Sequence, residues 1–300
     1  MLGDGIRYNI STLPPEEVQP FIGAILKLHK EYFFPDGVSG WFKQDQIHQS
    51  THVHGGAGFI PWHRELCNRF EALLREIDPR VSLHYWDFQE DVEEKNILGP
   101  NGMFGASHGI VGPPFDTLHN KGMKIGCRDE INPPDPAKPP EKIVRDVKSF
   151  PFLPEITDEM LVTKWDELNN EDQWNKFRND LEFVFHGPAH EYIGGNLSVG
   201  RHTAFEDPFV FLLHSNVDRL WASWQFQPGK TWRLDPDKIY GFESEDEVQL
   251  NEFLEPWAGG ASRPQQKMRP WGFDWPAELK NAKDISIVRG IPKYDKYANL

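Results

Sequence analysis

The chain has 300 residues, a formal net charge of −14 (46 Asp and Glu against 32 Lys and Arg), 11 Trp and 21 Phe. That is enough chain to bury a large aromatic core, and its acidity argues against nucleic acid or an anionic membrane as a partner. No run of eighteen apolar residues offers a membrane span.

The opening stretch, "MLGDGIRYNISTLPPEEVQPF", has neither the basic start nor the apolar stretch of a signal peptide, so the cytoplasm is the default expectation. Residues 13–33 carry an acidic start and apolar positions Val18, Ile22, Ile25 and Leu26 at helical spacing, with His29 on the same stripe. A second helix is expected over 61–77, with Pro61 at its first position and a stripe of His63, Leu66, Phe70, Leu73 and Ile77. The run "VSLHYWDF" (81–88) could form a strand. The Gly-rich stretch 99–126 and the proline-rich "INPPDPAKPPEK" (131–142) read together as a long surface excursion. Helices follow over 172–186 and 207–225, the latter with Pro208 near its start and a stripe of Phe211, His214, Asp218 and Trp221. Residues 256–276 are again rich in Pro and Gly. The expected fold is mainly α, a helix bundle with long loops and few short strands. Cys67 and Cys127 make no disulfide framework, and a single bridge between them stays open.

The histidines are unevenly placed. His52, His54 and His63 fall within "THVHGGAGFIPWH", with His48 just before. "HGPAH" sets His186 and His190 four apart, a spacing that shares one helical face, although Gly187-Pro188 leaves open whether one helix carries both. His214 follows on the last strong helix. A lone histidine on an apolar stripe is more often a satisfied core residue, and His29 needs no other account. Two groups that can each supply three neutral imidazoles point instead to metal. The His-Glu-x-x-His pattern of zinc peptidases is absent, and so are the paired Glu-x-x-His motifs of di-iron bundles. All-imidazole ligation suits copper or zinc.

These segments resemble the type-3 copper family of tyrosinases, catechol oxidases and haemocyanins. "HGGAGFIPWHRELCNRFE" (54–71) is similar to the family's first copper motif. "FRNDLEFVFHGPAH" (177–190) and "DPFVFLLHSNVDRLWASWQ" (207–225) are similar to its second, and "HYWDF" (84–88) to its Pro-Tyr-Trp-Asp-Trp segment. Residues 6–21 look like the opening of bacterial-type tyrosinases. The resemblance implies a helix bundle holding two copper ions, with O2 as co-substrate and a small phenol or catechol oxidised to an o-quinone. It implies a single catalytic domain over 1–300 without the C-terminal lid found in larger members.

Carried over residue by residue, the resemblance assigns His48, His54 and His63 to one copper and His186, His190 and His214 to the other, with His52 the competitor of His48. The cysteine that some members bond to a ligand histidine is missing here. Members usually carry His-His where this chain has Leu213-His214. Asp218 is expected to accept a hydrogen bond from a ligand ring, the alternative being a buried pair with Arg219. Glu182 matches the family's water-holding carboxylate, which helps a monophenol lose its proton; the alternative is a solvated helix carboxylate. The partnering Asn is replaced by Gly187, which favours catechol or o-aminophenol oxidation over strong monophenol hydroxylation. Glu191 is expected near the pocket mouth, and the "GGNLSVG" loop (194–200) over the second copper, with Val199 or Gly200 near the entrance. An O2 carrier sharing all six histidines is the non-enzymatic alternative.

Overall fold

The computed structural model describes residues 2–33, 38–51, 53–118, 142–153, 156–198, 203–240, 282–287 and 290–298. His52, Cys127, Val199, Gly200, most of the proline-rich 131–142 and all of 256–276 lie outside them.

Helix α1 spans Pro15–Lys30, with Pro15 at its first turn and Glu16 and Glu17 at its positive end. Its buried face includes Phe21, Ile25 and Leu28, and also His29. Helix α2, Gly40–Thr51, has no clear apolar stripe to predict it from, since it is buried on nearly every side: Trp41, Phe42 and Ile47 are buried, and so are Lys43, Gln44 and Asp45. Helix α3, Phe59–Ile77, starts two residues before Pro61, so that proline occupies the first turn rather than the first position. The first turn has no internal acceptor for a Pro N–H to miss, so the helix accepts it there.

Two buried helices form the centre of the bundle. Helix α7, Phe209–Gln225, is buried along its whole length and packs on α3. The Phe70 and Phe211 rings stack at 3.7 Å between the two, with Trp41 of α2 edge-on to both. Arg64 lies 3.6 Å over the Trp221 ring. Helices α4 (Asp158–Thr163) and α5 (Asn170–Asn179) flank this pair.

Helix α5 continues without a break through a π-helical stretch, Asp180–His186, into α6, Gly187–Ile193. The helix therefore does not restart at Pro188. The Gly187 N–H reaches back five residues to the Glu182 carbonyl. This wider turn accommodates a proline that offers no N–H and would crowd an α-helical carbonyl four residues back.

Among the described residues, strands are few and short. β1 (Ile6–Arg7) pairs in parallel with β4 (Lys293–Tyr294), and β2 (His108–Ile110) pairs antiparallel with β3 (Val144–Asp146). The 81–88 run is not a strand. Its backbone is shared between Tyr8, which accepts from Tyr85 N–H, and Leu212 at the end of a turn of α7, which accepts from Trp86 N–H. Cys67 is a free, buried thiol. No described helix is long and apolar enough to cross a membrane.

Candidate metal centre

Helices α2, α3 and α7, the continuous helix that runs into α6, and the loop before α3 converge on one centre. His48 comes from α2, His54 from the loop before α3, and His63 from α3. Their rings lie 5.1–5.7 Å apart, centroid to centroid. His186 ends the π-helical stretch, His190 is on α6 and His214 is on α7, with rings 4.5–5.2 Å apart. Within each group of three, candidate donor nitrogens lie within 4.8 Å of one another. The groups face each other, with His63 and His214 stacked at 4.8 Å and His54 and His186 at 6.1 Å.

Main-chain carbonyls set the ring orientations. His63 Nδ1 bonds the Phe59 carbonyl at 2.8 Å, His214 Nδ1 that of Val210 at 2.9 Å, and His186 Nδ1 that of Glu182 at 3.3 Å. Each of these is an i to i−4 contact that a helix supplies by itself. His190 Nδ1 instead bonds the Leu197 carbonyl at 2.8 Å. Its loop turns back through Gly194 (φ 65°) and Gly195 (φ 60°), where a Cβ would strike the carbonyls of Asp146 and Val144 at 2.5 and 2.1 Å. With the proton on Nδ1, each of the four rings turns its Nε2 lone pair inward.

The inward nitrogens fit a cation. His63 Nε2 is buried without a hydrogen-bond partner, a state a buried polar atom rarely holds unless something else binds it. The Nε2 atoms of His186 and His214 approach to 3.2 Å. Two lone pairs facing at that distance repel unless a positive charge lies between them. Burial, reinforced by the neighbouring imidazoles, holds His63 and His186 well below the usual histidine range. Burial does the same to His214 and brings His190 down to about 4. These four rings are therefore neutral at pH 7, and the all-imidazole donor set suits copper or zinc.

A cavity of about 360 Å³ opens on this centre, lined by His48, His54, His186 and His190 together with Glu182, Phe183 and Gly187. Glu182 is 4% exposed, which excludes a solvated carboxylate. Its Oε1 accepts a 2.7 Å hydrogen bond from the Gly55 N–H, and burial pushes its pKa up to about 7. Glu191 is exposed and lines a neighbouring outer cavity rather than this one.

Asp218 departs from expectation. It does not orient a ligand ring; its carboxylate accepts from Arg64 Nε, from Arg7 Nη1 at 3.2 Å and from the Tyr294 hydroxyl at 2.6 Å. Main-chain carbonyls hold the rings of His63, His186, His190 and His214, and Asp218 pairs instead with two buried guanidiniums, Arg64 and, together with Glu71, Arg7. Nor does it pair with Arg219, whose partners are Asp158 and Asp87. Sequence reasoning missed both arginines because Arg7 lies 211 positions from Asp218.

A family model described as the common central domain of tyrosinase matches residues 38–227. The chain belongs to the tyrosinase family. This tyrosinase-family chain is 29% identical over 293 residues to a grixazone synthase of Streptomyces griseus, covering 84% of this chain and 93% of that one. It is 25% identical over 273 residues to a tyrosinase of Streptomyces antibioticus, covering 84% and 92%. A functional unit of octopus haemocyanin superposes with a TM-score of 0.62 at 18% identity, over 97% of this chain and 68% of that one, which establishes a shared fold. The protein is a type-3 copper protein, and its two histidine triads are compatible with a dinuclear copper site that uses O2.

Proposed function

We propose that this tyrosinase-family protein oxidises catechols, and phenols less readily, to o-quinones with O2. His48, His54 and His63 hold one copper, and His186, His190 and His214 the other. The observation that carries the reading is the cavity of about 360 Å³ floored by histidines from both groups. That volume falls in the range of small-molecule sites, which lie between about 300 and 1,000 Å³. The copper pair, when bound, supplies the redox chemistry. For catechols the balance is two substrates giving two electrons and two protons each to one O2, leaving two quinones and two waters.

The protein's share is orientation, access and proton handling. The carbonyl-anchored rings fix the donor directions before metal arrives. The mostly apolar cavity favours a planar aromatic ring over water. Glu182, at the cavity wall, is placed to accept a phenol proton through a water. Gly187 leaves no side chain to share that water, which is the reason for ranking catechol above monophenol.

O2 uptake by the copper-loaded protein on L-tyrosine and L-DOPA, side by side, tests the reading. Uptake on L-DOPA far exceeding that on L-tyrosine is expected. Equal uptake would make the protein a full tyrosinase. No uptake on either, with two coppers bound per chain, would overturn the proposal in favour of o-aminophenol oxidation or O2 carriage.

A further inference from the structure

A second, outer cavity of about 540 Å³ adjoins the first. Both are lined by Phe183 and Gly187, so they meet at these two residues. Half-buried Phe152 lines the outer one and is backed by a stack of buried rings: it stacks on Tyr192 at 4.7 Å, and Tyr192 stacks on Trp86 at 5.7 Å. Phe183, between the cavities, is 56% exposed. A phenylalanine that leaves this much ring in water beside other aromatic faces has apolar surface to offer a ligand.

Gly187 is not required by the backbone. Its φ of −57° and ψ of −53° are helical, and a Cβ there would meet only the Glu182 carbonyl, at 3.7 Å. Glycine inside a helix costs stability relative to almost any other residue. What its missing side chain leaves is open space where the two cavities meet. The rim carries charge of both signs, the Lys148 ammonium, paired with Asp146, and the exposed Glu191 carboxylate.

We propose that the two cavities form one elongated binding site for two-ring phenolics, with the catechol ring at the histidines and a second aromatic ring against Phe152 and Phe183. The proposal rests on the catechol-oxidising reading and extends it to a substrate class. Phe152 is a specificity determinant that touches only the distal ring, buried Tyr192 backs it, and Gly187 is the passage between the halves.

The test compares binding of catechol and 4-benzylcatechol to the copper-loaded, reduced protein without O2, by calorimetry, so that neither ligand turns over. The two-ring ligand is expected to bind about tenfold tighter, a gain of the size one added aromatic contact supplies. Phe152→Ala and, independently, Gly187→Leu should bring that ratio down towards one. The KM ratio of the two substrates under air should follow the same pattern. A wild-type ratio near one, or a tenfold ratio that neither variant moves, would overturn the proposal. If catechol itself neither binds nor is oxidised, the catechol-oxidising reading has failed; if catechol is handled normally and the ratio is near one, only the extension has.

Discussion

The Gly55 backbone N–H donates a 2.7 Å hydrogen bond to the Glu182 carboxylate. Gly55 follows His54, and Glu182 sits one turn before His186. This single bond therefore ties the loop that carries one group of histidines to the helix that carries the other. Glu182→Ala should free the His54 loop, costing about 1–2 kcal/mol of stability and lowering copper occupancy. Glu182→Gln keeps an acceptor oxygen and should retain both. Copper per chain by mass spectrometry at limiting metal, with thermal midpoints, separates them; identical behaviour of the two variants would refute the link.

Gly187→Asn should raise the rate on L-tyrosine relative to L-DOPA. The helical backbone at Gly187 accepts a side chain without strain, and an amide there can share with Glu182 the water that takes the phenol proton. The ratio of initial O2 uptake on the two substrates checks this, with an unchanged ratio counting against Glu182 as the proton acceptor's support.

Glu191→Gln should shift substrate preference from tyramine towards caffeate. Glu191 is exposed on the outer cavity's rim, where a carboxylate attracts an ammonium and repels a carboxylate. Because exposed charges interact weakly in water, the shift should be modest and should shrink at high salt. Steady-state kcat/KM for both substrates at two salt concentrations measures it.

Tyr294→Phe should destabilise the fold by about 1–2 kcal/mol by removing one donor from the buried Asp218 carboxylate. Asp218→Ala should cost more, on the order of 3–5 kcal/mol, because it leaves the buried Arg64 guanidinium without a carboxylate partner, while Arg7 keeps its ion pair with Glu71. Neither should change copper stoichiometry in the fraction that folds, since Asp218 bonds no ligand ring. Urea denaturation with metal analysis of the folded fraction tests both statements.

His84 gives a pH dependence independent of copper. Neither of its ring nitrogens has a partner, it is buried against Phe21, and burial brings it down to about 4. As pH falls below 6.5 the unfolded chain takes up a proton here that the folded chain refuses until about pH 4. Stability contributed by the neutral ring is thus present above pH 6.5 and is lost as pH falls through that window, by up to roughly 3 kcal/mol. His84→Phe should remove this acid-side slope. Urea midpoints at pH 7.5 and pH 5, compared between wild type and variant, measure it; parallel losses would show that His84 does not contribute.

The helical period of α1, α3 and α7 was legible because each presents an apolar face to a common core, and a face leaves a periodic trace in sequence. Helix α2 left none, because it is buried nearly all round. The two histidine groups were legible because their local spacings match what helices and tight turns can bring together. A helix offers each of His63, His186 and His214 a carbonyl four residues back, which their rings take, whereas His190, equally helical, turns to the Leu197 carbonyl. Tertiary structure alone decided the rest. It assigned Asp218 to Arg7 and Arg64 rather than to a ligand ring, placed Glu182 against Gly55, and set an aromatic cavity beside Gly187. These relationships join residues from 40 to more than 200 positions apart, and side-chain pairing over such separations follows from how helices pack, which no local pattern encodes.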